Sequence, residues 1–225
     1  MAFPYTTLFF DLDGTLTDSE EGIVKCVQYS LRVLGLEEQD ASVLRSFIGP
    51  PLRASYQQVY GFSEAQTTAA IDLFHERFDA LGKFENRPYD GIPALLGGLK
   101  RAGFKLMLAT SKPEHFARQI MAHFSLEDYF NAICGADEAQ GRCEKQDVIK
   151  ELLRLNPPLN RDNTIMVGDR KYDVEGAALC GLDCIGVAYG FGGWAELQAA
   201  GAKYVVSSVD ALGALLLDQD MKQNG

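Results

Sequence analysis

The stretch Phe9-Phe10-Asp11-Leu12-Asp13-Gly14-Thr15-Leu16-Thr17-Asp18-Ser19 decides how the rest of the chain is interpreted. Mostly apolar residues lead into it from Tyr5, which is typical of a strand buried in a sheet. Two carboxylates, Asp11 and Asp13, then stand two residues apart, and Gly14 favours a turn. Buried strands do not normally end in two acids without a cation or a ligand to offset the charge. Because ligands bind at the carboxyl ends of parallel strands, this pair indicates a functional site.

A run of this kind can also be a solvated turn or the start of a calcium-binding loop. An EF-hand loop that began at Asp11 would need glycine at its sixth position and glutamate at its twelfth. Leu16 and Gly22 occupy those positions, so the calcium loop is excluded. The solvated turn stays open on the motif alone.

The run from Asp11 to Leu16 resembles the first motif of the haloacid dehalogenase-like (HAD) phosphohydrolases. The resemblance implies that Asp11 attacks phosphorus to form an aspartyl-phosphate and that Asp13 is the general acid and base. This division suits the chemistry, because a nucleophile needs an unprotonated oxygen and a leaving alkoxide needs a proton. The resemblance also implies a Mg²⁺ ion beside the two carboxylates, which offsets their repulsion of the phosphate.

The composition of the whole chain limits the class of protein. Its 225 residues fit one large domain or a domain with an inserted lobe, and its net charge is −10. Lysine and arginine form no cluster dense enough for a nucleic-acid patch, so we expect no nucleic-acid polymer as a partner. No apolar run reaches the length of a membrane span, and five cysteines, an odd count, indicate reduced thiols. We therefore expect a cytoplasmic protein, and the resemblance implies that it acts on a small phosphorylated metabolite.

The order of helical and strand patterns predicts the fold. Helical patterns fill the chain from Asp18 to about Ala80, which is too long for one crossover between strands. From Arg87 onward, apolar runs alternate with helices, which indicates a parallel, doubly wound sheet. We predict an α/β fold with a Rossmann-like core over residues 1–17 and 88–225 and a helical lobe over residues 18–87. In the phosphoglycolate phosphatase and β-phosphoglucomutase-like branch of the resembled family, the lobe is a cap that closes over the site.

Two further motifs fall where strands or loops of such a sheet would place them. Thr110 follows the predicted strand Phe104–Ala109 and matches the family's second motif, whose hydroxyl holds phosphate oxygens, and its neighbour Ser111 could add a donor. An ordinary cap of the next helix is the competing interpretation. Lys145 begins a predicted helix and matches the third motif, which implies a pairing with Asp11 and the phosphate. A solvated surface lysine remains the alternative, with Arg142 and Lys150 as nearby competitors.

The fourth motif is Gly168-Asp169, followed by Asp173, after the predicted strand Thr164–Val167. The resemblance implies that Asp169 binds Mg²⁺ together with the Asp11 carboxylate and the backbone carbonyl of Asp13. It gives Asp173 an indirect role through water or hydrogen bonds, and a plain helix cap is an equal alternative. Oxygen ligands with retained waters suit Mg²⁺. The glycine-rich run from Gly190 to Gly193 lacks the dinucleotide fingerprint and predicts a turn.

The motifs together predict Mg²⁺-dependent hydrolysis of a small phosphomonoester, with phosphoglycolate, a nucleoside monophosphate and pyrophosphate as open substrates. Arg53 and Tyr56 of the lobe are candidates for contacting the leaving group. A dehalogenase is disfavoured, since halide leaves without a proton and has no use for Asp13. A phosphonatase needs an imine-forming lysine where the lobe carries Arg53. A sugar phosphomutase and an inorganic pyrophosphatase stay open, whereas a catalytically silent binding protein would not be expected to keep every motif acid.

Overall fold

The structure is a computed structural model that describes residues 3–217. Its strands are β1 (Thr7–Phe10), β2 (Thr17–Asp18), β3 (Arg87–Pro88), β4 (Lys105–Pro113), β5 (Ala132–Ala136), β6 (Thr164–Gly168), β7 (Asp183–Val187) and β8 (Tyr204–Val206). Six of them form one sheet in the order β5-β4-β1-β6-β7-β8, with parallel pairing between neighbours. The chain winds outward from β1 through β4 and β5, then returns to the other side of β1 for β6, β7 and β8. The predicted doubly wound parallel sheet is confirmed.

The chain forms two compact units, and the smaller one is Asp18–Arg87. Its helices are α1 (Glu20–Val33), α2 (Ala41–Arg45), α3 (Leu52–Tyr60) and α4 (Glu64–Arg77), followed by a π-helical turn at Phe78–Gly82. The apolar stripe of α1 is buried, as its three- and four-residue spacing predicts. Helix α4 begins with a capping box, in which Ser63 and Gln66 satisfy each other's backbone N–H groups.

The larger unit consists of Met1–Thr17 and Pro88–Gly225. Its helices are α5 (Ile92–Arg101), α6 (Glu114–His123), α7 (Lys145–Leu155), α8 (Lys171–Leu179), α9 (Gly193–Ala199) and α10 (Val209–Leu217). All four residues of β1 are buried. Phe9 belongs to a core cluster with residues of α7 and α8, while Leu8 and Phe10 are fully buried as well. Burial on both faces explains why β1 is an almost continuous apolar run.

Two elements differ from the expectations. Strand β4 does not stop at Ala109 but continues to Pro113 through an irregularity, since Ala109 pairs with Cys134 and Pro113 pairs with Ala136. Four steps along β4 therefore match two steps along β5, and residues 110–112 bulge out of the ladder. Helix α10 has no counterpart in the sequence prediction, because a short apolar run cannot be assigned to a helix by periodicity alone.

Candidate active site

The central strands deliver the motif residues to one edge of the sheet. Phe10 at the end of β1 is in register with Leu108 of β4 and Val167 of β6. Asp11 and Asp169 directly follow β1 and β6, and Thr110 lies two residues after Leu108, where β4 becomes irregular. The carboxyl ends of β1, β4 and β6 therefore bring the first, second and fourth motifs together. This edge lies at the point where the winding of the sheet reverses, which is the usual ligand site of such folds.

The loop after β1 is tight and its glycine is required. The backbone N–H of Asp11 still donates to the carbonyl of Val167 at 2.9 Å, which fixes the nucleophile candidate to β6. Gly14 then adopts a φ of 75°, in the left-handed region. A Cβ at this position would lie 2.1 Å from Oδ2 of Asp169. The glycine thus allows the loop to pass directly against the carboxylate of the fourth motif.

Lys145 is a buried centre of the site and not a surface lysine. Its side chain is 3% exposed, and its Nζ lies 2.9 Å from Asp11 Oδ1 and 2.8 Å from Asp173 Oδ1. The same Nζ donates to the carbonyl of Ala109 at 2.9 Å. One hydrogen bond and two close ion pairs thus hold the ammonium group among three oxygens.

The alternatives to Lys145 are located elsewhere. Arg142 is directed to the carbonyl of Gly135, at 2.6 Å, and to Glu114, at 3.0 Å, while Lys150 is exposed on α7. The cation beside Asp11 is therefore the one that the third motif indicates.

Three carboxylates form a buried cluster beside this lysine. Asp11, Asp169 and Asp173 each offer an oxygen within 4.8 Å of the others. They are 7%, 0% and 1% exposed. Asp169 accepts hydrogen bonds from the backbone N–H of Phe191, at 2.7 Å, and from the hydroxyl of Thr15, at 3.3 Å. Asp173, in the first turn of α8, accepts from the N–H of Arg170 at 3.1 Å, so its contact with the start of the helix and its proximity to the cluster hold together.

The pKa values reflect this crowding. Burial raises the pKa of Asp11 to about 6, against the opposite effect of Lys145. Burial, followed by the charges of Asp173 and Asp11, raises the pKa of Asp169 well above its ordinary value. Burial alone would lower the pKa of Lys145, but Asp11 and Asp173 outweigh it and leave the pKa raised. The site therefore holds a charged lysine among carboxylates that repel one another.

A second lysine belongs to the site and was missed in the sequence. Lys112 Nζ lies 2.8 Å from Asp13 Oδ2, and the two side chains are 7% and 12% exposed. Its backbone N–H donates to the hydroxyl of Thr110 at 3.2 Å, within the bulge of β4. A lysine two residues after the second motif was a visible signal, but its direction depends on the bulge.

The second-motif hydroxyls divide between buried and accessible positions. Thr110 is 1% exposed at the edge where Asp11 and Asp169 lie. Ser111 is its partly buried neighbour. Neither caps α6, because Pro113 stands at the cap position and no side chain accepts a hydrogen bond there. The alternative interpretation of these hydroxyls as helix caps is therefore wrong.

The two candidates in the smaller unit differ in exposure. The Arg53 side chain is 39% exposed and forms an ion pair with Glu64 of α4. Tyr56 is fully buried, stacks on Phe62 and shares a hydrogen bond of 2.6 Å with Ser30. The prediction that Tyr56 contacts the leaving group is therefore wrong, because its side chain lies in the interior of this unit.

The side chains of the site fit a divalent cation. Four acidic side chains, those of Asp11, Asp13, Asp169 and Asp173, face two ammonium groups, those of Lys112 and Lys145, so the acids outnumber the lysines by two. Asp13 Oδ1 is buried and accepts no hydrogen bond from residues 3–217. An excess of acidic groups with hard oxygen donors in a largely buried site is what a cation such as Mg²⁺ would offset.

No helix among the described residues is long and apolar enough to cross a membrane.

Comparison with known proteins identifies the family. The family model for haloacid dehalogenase-like hydrolases matches residues 8–187, which spans all four motifs. The crystal structure of a predicted phosphatase from Clostridium acetobutylicum superposes with a TM-score of 0.91 at 48% identity, covering 95% of this chain and 99% of that one.

Characterised relatives carry several names. A 5'-nucleotidase of Pseudomonas aeruginosa is 44% identical over 215 residues, 96% of this chain and 97% of that protein. The tyrosine-protein kinase PtkA of Mycobacterium tuberculosis is 38% identical over 82% of this chain, which matches 62% of that protein. A phosphoglycolate phosphatase of Cupriavidus necator is 28% identical over 96% of this chain and 95% of that protein. The nucleotidase and phosphatase relatives support a hydrolase of phosphoric monoesters, and the chain belongs to the haloacid dehalogenase-like hydrolases.

Proposed function

We propose that the chain hydrolyses a small phosphomonoester in two steps, with Mg²⁺ and with the phosphoryl group carried on Asp11 between the steps. One observation carries this proposal: a buried carboxylate at the end of the central strand, held by the ammonium of Lys145 at 2.9 Å, beside a second acid that has its own lysine. The first acid has the fixed position of a nucleophile. The second acid, Asp13, contacts a different lysine from Asp11 and can therefore serve as the general acid and base.

The cation would be held by the carboxylates of Asp11 and Asp169 together with the backbone carbonyl of Asp13. When bound, it would neutralise the repulsion between these acids and a phosphate and draw charge from the phosphoryl oxygens. Asp173 has a different role in this proposal. One of its oxygens lies by Lys145 and the other accepts from the N–H of Arg170, so it orients the lysine and acts on the cation indirectly.

Phosphoryl transfer to Asp11 forms one P–O bond and breaks another. An oxygen of Asp11 attacks phosphorus while the ester oxygen departs, and Asp13 donates a proton to that departing oxygen. Water then attacks the same phosphorus, gives its proton to Asp13 and releases Asp11. The hydroxyl of Thr110, assisted by Ser111, and the ammonium of Lys145 bind the phosphoryl oxygens, whose charge grows in both steps.

Substrate choice is proposed to lie in the smaller unit, acting as a cap domain. All the residues with chemical roles above belong to the larger unit, so the smaller one is available for recognition. Arg53 keeps 39% of its side chain exposed, and its partner Glu64 is 70% exposed, so this weak ion pair can exchange for an anionic group of a substrate. The similarity to a 5'-nucleotidase favours a nucleoside 5'-monophosphate, with phosphoglycolate as the next substrate to test.

We also propose a cytoplasmic location. None of the five cysteines forms a disulfide, and four of them are buried. Free thiols persist in reducing compartments, whereas an oxidising one favours disulfides.

The roles of the two acids can be separated by single-turnover phosphorylation. Asp11→Asn should form no phosphoenzyme. Asp13→Asn should still form it from p-nitrophenyl phosphate but should slow transfer from an alkyl phosphate by about 10²–10⁴-fold, since only the poor alkoxide leaving group needs the proton. Label on the protein is followed after mixing with each ester and Mg²⁺, and with chelator as a control. Label in Asp11→Asn, equal losses for both esters in Asp13→Asn, or full activity in chelator would contradict the proposal.

A further inference from the structure

The turn between β7 and α9, residues Tyr189–Gly193, contacts both acidic loops of the site. We infer that this glycine turn, with Glu196 of α9, is a positioning element that fixes the Asp169 carboxylate for a divalent cation. The inference rests on the proposed function, because it assigns these residues to the same cation. None of them touches the phosphoryl group in this assignment.

The first contact runs through Tyr189 to the loop after β1. The Tyr189 hydroxyl donates to the backbone carbonyl of Thr15 at 2.9 Å. The Thr15 hydroxyl in turn donates to Asp169 Oδ1 at 3.3 Å. The ring of Tyr89 packs edge-on against that of Tyr189, with 5.1 Å between centroids, and limits its movement. The tyrosine thus links the first-motif loop, and through it one oxygen of Asp169, to the turn.

The second contact is made by the backbone of the turn itself. The N–H of Phe191 donates to Asp169 Oδ2 at 2.7 Å. A Cβ at Gly190 would lie 2.3 Å from the carbonyl oxygen of Gly14 and 2.4 Å from Cβ of Asp169. Glycine is required here for space alone, since any side chain would separate the turn from both loops. The close approach is what lets the N–H of Phe191 reach the carboxylate.

The third contact holds the chain that follows Asp169. Glu196 Oε1 accepts from Arg170 Nε at 2.8 Å and from the backbone N–H of Lys171 at 2.9 Å. A Cβ at Gly192 would lie 2.3 Å from the carbonyl oxygen of Asp169, so the turn also packs on this backbone. The turn therefore holds Asp169 Oδ2 directly and Oδ1 indirectly through Thr15, while Glu196 of α9 holds the chain that follows Asp169. Hydrogen bonds of this kind orient a carboxylate ligand and tune its affinity for a metal ion.

The test measures metal binding directly. Gly190→Ala adds the clashing methyl group, and Tyr189→Phe removes only the hydroxyl that reaches Thr15. Gly213→Ala is the matched control, since a Cβ there would meet only Leu95 Cδ1 at 3.5 Å. Mn²⁺ dissociation constants are determined from the electron paramagnetic resonance of free Mn²⁺, and thermal midpoints are recorded in EDTA and in Mn²⁺. The KM for p-nitrophenyl phosphate is measured at saturating Mn²⁺.

We expect Gly190→Ala to weaken Mn²⁺ binding by at least about 10-fold, with a smaller loss for Tyr189→Phe and none for Gly213→Ala. The KM at saturating Mn²⁺ should stay within about twofold, because Thr110 and Lys145 are untouched. Unchanged Mn²⁺ affinity in the two turn variants would overturn the inference, and if Gly190→Ala does not fold in EDTA, the affinity of Tyr189→Phe decides. A wild-type protein that binds no Mn²⁺ would instead overturn the proposed function, and the inference with it.

Discussion

At the scale of single residues, the site holds more negative charge than its own lysines offset. Lys145 pairs with Asp11 and Asp173, and Lys112 pairs with Asp13, while Asp169 has hydrogen bonds from Thr15 and Phe191. The raised pKa of Asp169 means that ionising this buried carboxyl is unfavourable in the folded protein. Such an arrangement lowers the stability of the folded protein in the absence of a cation.

Asp169→Asn should therefore stabilise the protein in chelator, by about 1 kcal/mol near neutral pH. The amide can still accept from Phe191 N–H and donate to the Thr15 hydroxyl, which rotates to suit. For an acid whose pKa is raised on folding, the folded state binds more protons, so the free energy of unfolding falls as the pH rises above the unfolded pKa. The advantage of the variant should thus appear above about pH 4 and vanish below it. Urea unfolding of both proteins in EDTA across this range measures it.

Added Mg²⁺ should reverse the order, because a ligand that binds only the folded protein stabilises it and the variant has lost a carboxylate ligand. The wild-type thermal midpoint should rise with Mg²⁺ while that of Asp169→Asn stays constant. A variant that is less stable than the wild type in EDTA would show that Asp169 is a structural carboxylate. If Mg²⁺ raised the thermal midpoints of both proteins equally, Asp169 would not be a ligand of the metal ion.

At the scale of elements, the bulge of β4 shapes the site. Its extra residues turn the carbonyl of Ala109 toward Lys145, which donates to it at 2.9 Å. They also place the Lys112 ammonium beside Asp13, while the Thr110 hydroxyl accepts from the backbone of Lys112. In a regular strand, the backbone groups of residues 110–112 would pair with a neighbouring strand. The bulge therefore sends two cationic contacts to the same edge.

Lys112→Met should lower kcat/KM for an alkyl phosphate by the order of 10²-fold, with a smaller loss for p-nitrophenyl phosphate. The ammonium holds the carboxylate that handles the proton, so its removal should affect mainly the ester that needs the proton. Lys150→Met, on the exposed side of α7, is the control and should match the wild type. Steady-state kinetics with both esters, alongside thermal midpoints, make the comparison. A loss that is equal for the two esters would assign Lys112 to general charge and not to Asp13.

The same elements show what a single sequence can and cannot predict. The strand ends that carry Asp11 and Asp169 were predicted, because apolar runs followed by acids are local patterns. Lys145 was predicted from its match to the third motif of the resembled family. Lys112 and the glycine turn were not assigned to the site. The direction of Lys112 depends on a bulge, and the role of Gly190 depends on a close approach between loops far apart in the sequence.

At the scale of the whole molecule, the larger unit contains every residue with a proposed chemical role although its chain is interrupted. Its two segments meet locally, because the N–H of Tyr89 donates to the carbonyl of Leu16 at 3.0 Å. A short linker could therefore replace Asp18–Arg87 and join the two segments without straining the sheet. A closed loop of a few residues also costs less conformational entropy than the natural insertion.

Replacing Asp18–Arg87 by a short Gly-Ser linker should leave a folded larger unit that binds Mg²⁺ and hydrolyses p-nitrophenyl phosphate. If the smaller unit supplies recognition, the ratio of kcat/KM for a nucleoside monophosphate over p-nitrophenyl phosphate should fall by at least about 10-fold, because binding energy from the rest of the substrate is lost. Circular dichroism and urea unfolding check the fold, and kinetics with the two esters give the ratio. The same shortened chain with Asp11→Asn controls for contaminating phosphatases.

The two parts of this prediction fail in different ways. A shortened chain without a cooperative unfolding transition would mean that the core of the larger unit is not self-sufficient, although its sheet is buried by its own helices. A folded and active chain that keeps its preference would place recognition at the sheet edge, and Arg53 would then have no part in it. Arg53→Ala in the full chain separates these cases, since it should reduce turnover of the preferred ester and spare p-nitrophenyl phosphate only where the smaller unit binds the substrate.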